Sequence, residues 1–208
     1  MLSDDPFVPD EGQFEINFAA ASEHRDATVI TAPILDLNYG LIKDVQITFA
    51  TGYISTQDQK GWDAFELAFK YNFYSNDFFA IAINPKYISY PVETIFNEGS
   101  IYELSVPMSL QLSEDWSWII SLAYIYPNGH DDHLELGSYL QYHYHTQNFY
   151  AEVFTEGSKS YDDLFTLVNL GYLYQFQENL AFMLSVGREI RAQEKKATIA
   201  YGGLQLLF

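Results

Sequence analysis

Cysteine is absent from this chain of 208 residues. That excludes thiol nucleophiles, thiolate metal sites and disulfide staples. Bases are scarce too: 10 Lys and Arg stand against 28 Asp and Glu, for a formal net charge of −18. So acidic a chain has little with which to neutralise phosphates, and nucleic acid is not an expected partner. Nowhere do apolar residues run on for the ~18 positions that a transmembrane helix needs. The opening Met1-Leu2-Ser3-Asp4-Asp5-Pro6 has neither a basic region nor an apolar core, so an exported form is expected to have lost its leader already. Gly-x-Ser-x-Gly, His-Glu-x-x-His and phosphate-cradling glycine loops are also missing. No cofactor and no metal site is expected, and the chain is not expected to be an enzyme.

What the sequence does contain is aromatic and alternating. Tyr (17) and Phe (16) are abundant, which argues against acidic disorder. Phe65, Leu67, Phe69, Tyr71 and Phe73 alternate with Ala64, Glu66, Ala68, Lys70 and Asn72. Tyr102, Leu104, Val106, Met108, Leu110 and Leu112 alternate with Glu103, Ser105, Pro107, Ser109 and Gln111, and Leu134 to Tyr144 repeats the pattern. Period two sends one set of side chains to each face of a strand.

Short polar turns punctuate the strands at Leu41–Asp44, Ser75–Asp77, Ser113–Asp115, Thr146–Asn148 and Gln177–Asn179. They alternate with longer connections at 22–27, 55–61, 91–99, 127–132, 156–162 and 188–195. The resulting expectation is about twelve strands, at 13–22, 28–39, 44–54, 62–74, 78–90, 100–112, 116–126, 133–145, 148–155, 164–176, 179–188 and 197–208. An even count returns both ends to the short-turn side, as in outer-membrane barrels. Most strands have the length to cross a bilayer at a tilt. Aromatics gather near strand ends, among them Tyr71, Phe73, Tyr124, Tyr126, Tyr142, Tyr144, Tyr172, Tyr174 and Phe176, as in the girdles of transmembrane barrels. The other face is mostly small or polar, with more charge than a dry core tolerates. The fold class read from the sequence is therefore all-β: a transmembrane antiparallel meander β-barrel. Residues 13–208 are expected to form the barrel and residues 1–12 a periplasmic lead-in. A soluble sandwich with aromatics in its core is the alternative.

Two sets of residues stand out. Glu15, Asp36, Glu66, Lys70, Lys86, Glu103, Glu135 and Glu152 should point into the lumen, with Glu66 and Lys70 four apart on one face. They are expected to form either a charged constriction that selects permeants or a network of salt bridges that packs a narrow bore. Leu204, Leu206 and Phe208 share the outward face of the last strand. A terminal Phe on an alternating strand resembles the signal by which the barrel assembly machinery recognises its substrates. The run His130-Asp131-Asp132-His133 has metal-binding residue types, but it follows Pro127-Asn128-Gly129 in a polar turn, where such residues are ordinary. His143 and His145 share a strand face by spacing and are read as interfacial.

The N-terminal quarter carries more specific motifs. Asp5-Pro6-Phe7 leads through Gly12 into Gln13-Phe14-Glu15-Ile16-Asn17; Pro33-Ile34-Leu35-Asp36-Leu37-Asn38-Tyr39-Gly40-Leu41 and Asp44-Val45-Gln46-Ile47 follow. Over residues 4 to 50 this resembles the outer-membrane barrel family labelled MetA-pathway of phenol degradation, often called transporter-like. The resemblance implies a barrel that passes small, including aromatic, molecules, and it transfers no functional residues. Taken together, the expected function is a porin-like channel or transporter of the Gram-negative outer membrane. Its expected partners are outer-membrane lipid and lipopolysaccharide, the barrel assembly machinery and a small-molecule permeant. The acidic balance favours cations if the lumen is open. A lipid-modifying hydrolase built on Ser, His and Asn, and a structural barrel with a closed lumen, are the alternatives.

Overall fold

The computed structural model describes residues 3–90, 99–128, 131–158, 164–191 and 196–208. The alternating segments form twelve strands: β1 (Phe14–His24), β2 (Thr28–Ile42), β3 (Val45–Ser55), β4 (Lys60–Ser75), β5 (Phe79–Ser89), β6 (Ser100–Gln111), β7 (Trp116–Pro127), β8 (His133–Tyr144), β9 (Gln147–Ser158), β10 (Phe165–Gln177), β11 (Leu180–Arg191) and β12 (Thr198–Leu207). Each strand pairs with its sequence neighbours, and β12 returns to β1, closing the barrel. The β1–β12 seam runs from Glu15↔Leu207 to His24↔Thr198. Beyond it, the Phe208 N–H donates to the Phe14 carbonyl at 2.9 Å and the Phe14 N–H to the Phe208 carbonyl at 3.0 Å. Closure has a physical reason: in hydrocarbon an unpaired backbone group costs several kcal/mol, so the sheet has no edge to spare.

The meander follows the expected one strand for strand, with shifted ends. β4 begins at Lys60, β9 runs to Ser158 and β11 to Arg191. Backbone pairing continues past the point where apolar alternation stops, because a ladder needs no apolar face once it reaches water. The turn expected at Thr146–Asn148 is instead His145–Thr146, and β9 starts at Gln147. His145 and Asp44 occupy the turns with φ of 54° and 64°, a left-handed conformation that His and Asp tolerate better than most residues. His145 therefore shares no strand face with His143: it stacks edge-on against Tyr144 in the turn.

One end of the barrel has the tighter connections, with two residues at 43–44, 145–146 and 178–179. The outward face is apolar, as Leu67, Leu104, Leu122, Leu136, Val153, Leu170, Val186 and Leu204 show. Near the short-turn end, Trp116, Tyr142, Phe149 and Tyr172 stack in succession across β7 to β10, with ring centroids 4.8, 6.4 and 5.2 Å apart. Trp62, Tyr87, Tyr102, Tyr124 and Tyr126 mark the opposite end. Outward aromatics at both ends of an apolar band are the arrangement of a bilayer-spanning barrel. The soluble sandwich is thereby replaced by a closed barrel with its apolar side outward.

Candidate functional site: the barrel lumen

Strand register fixes which side chains face inward. Glu15 lies opposite Asn38, Asp36 opposite Asn17 and Ala50, and Glu66 opposite Ala50. Gln46 faces Lys70, Lys86 faces Glu103, Glu135 faces Ala123 and Glu156, and Glu152 faces Tyr139 and Asn169. All these residues share the face opposite the apolar exterior. Glu156 and Glu189 belong to the same inner face and were missed. The expected strands stopped at 155 and 188, so the parity that located Glu152 was not carried far enough.

The inner wall is organised rather than diffusely polar. On β1 to β3, the Asn17 amide donates to Glu15 (2.9 Å) and Asp36 (3.3 Å), and the Asn38 amide to the same two carboxylates at 3.3 and 3.1 Å. Gln46 and Thr48 each donate to the Asn38 carbonyl oxygen at 2.6 Å. Across the β5–β6 register, Lys86 Nζ lies 3.0 Å from Glu103. Toward the long-loop end, Glu189 receives Arg25 at 3.1 Å and the Ala197 N–H at 2.9 Å, while His133 meets Glu156 at 3.1 Å. Part of the wall on β7 to β10 is apolar: Ile119 and Leu167 are fully buried inside, near Tyr139 and Phe154. The inner face was expected to be mostly small or polar, and it is; a bore this narrow also packs apolar side chain on side chain.

The largest departure concerns the N-terminal segment. It was expected below the barrel as a periplasmic lead-in, yet residues 3–10 run into the lumen. Gly12 and Gln13 hold the entry: the Gly12 N–H donates to the Gly40 carbonyl at 2.8 Å and the Gly40 N–H to the Gln13 carbonyl at 3.0 Å. Gly40 is required here, because a side chain at that position would overlap the Asp10 carbonyl. Further in, Asn72 donates to the Pro6 carbonyl (2.9 Å) and Lys70 to the Phe7 carbonyl (3.1 Å). Lys70 also pairs with Asp5 at 3.6 Å. Asp4 is held by Lys86 at 2.9 Å, the Asn84 amide at 3.1 Å and the Ser105 hydroxyl at 2.5 Å. Ser3 donates through both N–H (2.8 Å) and hydroxyl (2.6 Å) to Glu152, whose other oxygen takes Asn169 at 2.9 Å. Gly137 leaves the space that Ser3 fills.

Glu66 and Lys70, four apart on one inner face, do not pair with each other. Residues four apart on a strand are separated by about 13 Å along it, so Lys70 reaches Asp5 and Phe7 instead. Asp4 and Asp5 carried no signal as lumen residues, because they precede the first alternating segment.

Two histidine-containing groups lie apart from these contacts. His143 faces the lumen rather than the interface: its Nε2 is 3.3 Å from the Ser117 hydroxyl and its Nδ1 2.7 Å from the Asn148 side-chain oxygen. The residue types match a nucleophile, base and orienting group. However, Ser117 sits inside a strand paired on both sides, where backbone N–H groups serve the ladder rather than an oxyanion. Its hydroxyl also donates to Gln111 at 2.9 Å. In the acidic turn, His130 lies outside the described residues, Asp132 accepts from Tyr124 and His133 pairs with Glu156. Among the described residues, no group of three or more His, Asp or Glu is placed to hold a metal ion.

The fold has solved counterparts. No protein-family model and no curated sequence matches the chain. Among solved structures, it is similar to the NanC porin (11% identity, TM-score 0.73) and the KdgM porin (14%, 0.69), each alignment covering 92% of this chain and 98% of the porin. An outer membrane channel from Pseudomonas putida F1 matches over 99% of this chain and 98% of its own, at 12% identity and a TM-score of 0.68. At these identities the likeness is one of fold.

Proposed function

We propose that this chain is a bacterial outer-membrane channel of the porin type, passing small molecules by diffusion and favouring cations. The observation that carries the reading is the sidedness of charge. Glu15, Asp36, Glu66, Glu103, Glu135 and Glu152 all face the interior of a closed barrel whose exterior is apolar. Carboxylates on the wall of a narrow aqueous path raise the local cation concentration and oppose anions. The named lysines do not reverse this, since Lys86 is shared by Glu103 and Asp4.

The outer-membrane channels of the same fold support this location and activity, as do the two aromatic belts. In that setting the apolar face meets lipid, and the acidic loops meet lipopolysaccharide through bridging divalent cations. Outward-facing Leu204, Leu206 and Phe208, at the closing seam, support recognition of the last strand by the barrel assembly machinery. Small aromatic permeants rest only on the resemblance of the N-terminal motifs to those of the phenol-degradation family. The hydrolase reading is disfavoured by the strand-bound position of Ser117. The closed structural barrel has one observation in its favour, the segment inside the lumen.

Swelling of proteoliposomes in small organic amines and in carboxylates of equal size tests the proposal. The protein should carry Asp4→Asn and Asp5→Asn, so that the lumen segment has lost its ion pairs. Amines are expected to enter faster. Equal exclusion of both classes would count against a channel, and faster carboxylate entry against cation preference.

A further inference from the structure

We propose that residues 3–9 are a tethered plug that holds this channel shut, kept in the lumen by ion pairs from Asp4 to Lys86 and from Asp5 to Lys70. The inference rests on the channel reading above and adds a device for closing it.

The segment fits the bore. An eight-stranded barrel is filled by its own side chains, whereas sixteen strands leave an aqueous channel. Twelve strands lie between, with room for about one extended chain. Residues 3–9 take that room. Their contacts run from Gly40, near the short-turn end of β2, to Gly137 and Glu152, about midway along β8 and β9. Pro6 is fully buried although it belongs to no strand. Gly40 and Gly137 lack the side chains that would collide with Asp10 and Ser3, so the wall is relieved at two separate heights along the segment.

The segment is held by side chains. Beyond the entry at Gly12 and Gln13, the contacts described above join it to lumen side chains: Asn72, Lys70, Lys86, Asn84, Ser105 and Glu152. None of these contacts is a β-ladder pairing. The segment can leave without breaking a barrel hydrogen bond, which distinguishes a removable plug from a thirteenth strand.

The hold is also electrostatic. Two adjacent aspartates entering a lumen rich in glutamate should be repelled. They are accommodated because each finds a lysine, Asp4 at 2.9 Å and Asp5 at 3.6 Å. The latch is therefore charge-dependent. Salt at about 1 M shortens the screening length to roughly 3 Å and weakens it, most at the longer and more exposed Asp5 pair.

The chain has no cysteine, so Pro6→Cys gives a single thiol reporting the position of the plug. Full-length protein reconstituted in bilayers is treated with a charged, membrane-impermeant thiol reagent while conductance is recorded. In the parent background, the introduced thiol should react slowly and conductance should be low. Adding Asp4→Asn and Asp5→Asn leaves the barrel wall unchanged; it should raise both labelling rate and open-channel occupancy by roughly tenfold or more. Gly137→Ala, which intrudes on Ser3 from the wall, should act in the same direction. Heat-modifiable gel mobility checks that each barrel is folded.

Rapid labelling in the parent would overturn the plug, as would a protected thiol in a channel that already conducts freely. Continued protection in both variants, with unchanged conductance, would also overturn it. Exposure of the thiol without any gain in conductance would contradict the channel reading instead.

Discussion

Lys86 shows how much of the lumen depends on single side chains. It lies opposite Glu103 in the β5–β6 register and also holds Asp4, with little of its side chain exposed. Removing its charge leaves two carboxylates facing each other in a confined space. Lys86→Gln is accordingly predicted to cost about 1–3 kcal/mol of stability, measured by urea unfolding of the folded barrel in micelles. An unchanged midpoint would mean that lumen water replaces the ammonium without penalty. The pairing was only half legible in the sequence. Alternation placed Lys86 and Glu103 on inner faces, whereas register between strands is set in three dimensions. The motifs Asp5-Pro6-Phe7 and Leu37-Asn38-Tyr39-Gly40-Leu41 now have local reasons. Pro6 is enclosed, Asn38 bridges Glu15 and Asp36, and Gly40 makes way for the incoming chain.

The strands were the most readable feature, because each presents one face to an apolar phase and the other to a polar bore. β7 illustrates both the strength and the limit of that logic. Trp118, Leu122 and Tyr124 point outward as expected, yet Ile119 and Ile125 point inward with Ser117, Ser121 and Ala123. Mixed character on the inner face blurs alternation without destroying it, since the bore both holds charged side chains and packs itself. Sidedness leads to a direct prediction. Leu122 lies mid-strand on the outer face, about half exposed, where an arginine would meet lipid. Leu122→Arg should destabilise the barrel by about 2–4 kcal/mol, read from reversible unfolding in liposomes. A negligible effect would place Leu122 away from hydrocarbon. The histidines show where periodicity ends: a two-residue turn after Tyr144 sends His145 into a hairpin, while His143 stays on the inner face.

Across the whole molecule, an acid-rich interior is wrapped in an apolar, aromatic-belted exterior, with residues 3–10 folded back inside. Composition announced the acid, and alternation announced the wrapping. The returning segment was unreadable because residues 3–9 have no period and their partners lie far away in sequence: Lys70, Lys86, Ser105 and Glu152. What the lumen conducts is the central question. The decisive measurement is the reversal potential across a potassium chloride gradient in planar bilayers, using protein with Asp4→Asn and Asp5→Asn. The carboxylate-lined path predicts a reversal potential displaced toward that of potassium, with the displacement reduced by Glu66→Gln and Glu135→Gln. A reversal potential displaced toward that of chloride, or no conductance from a folded barrel, would contradict it.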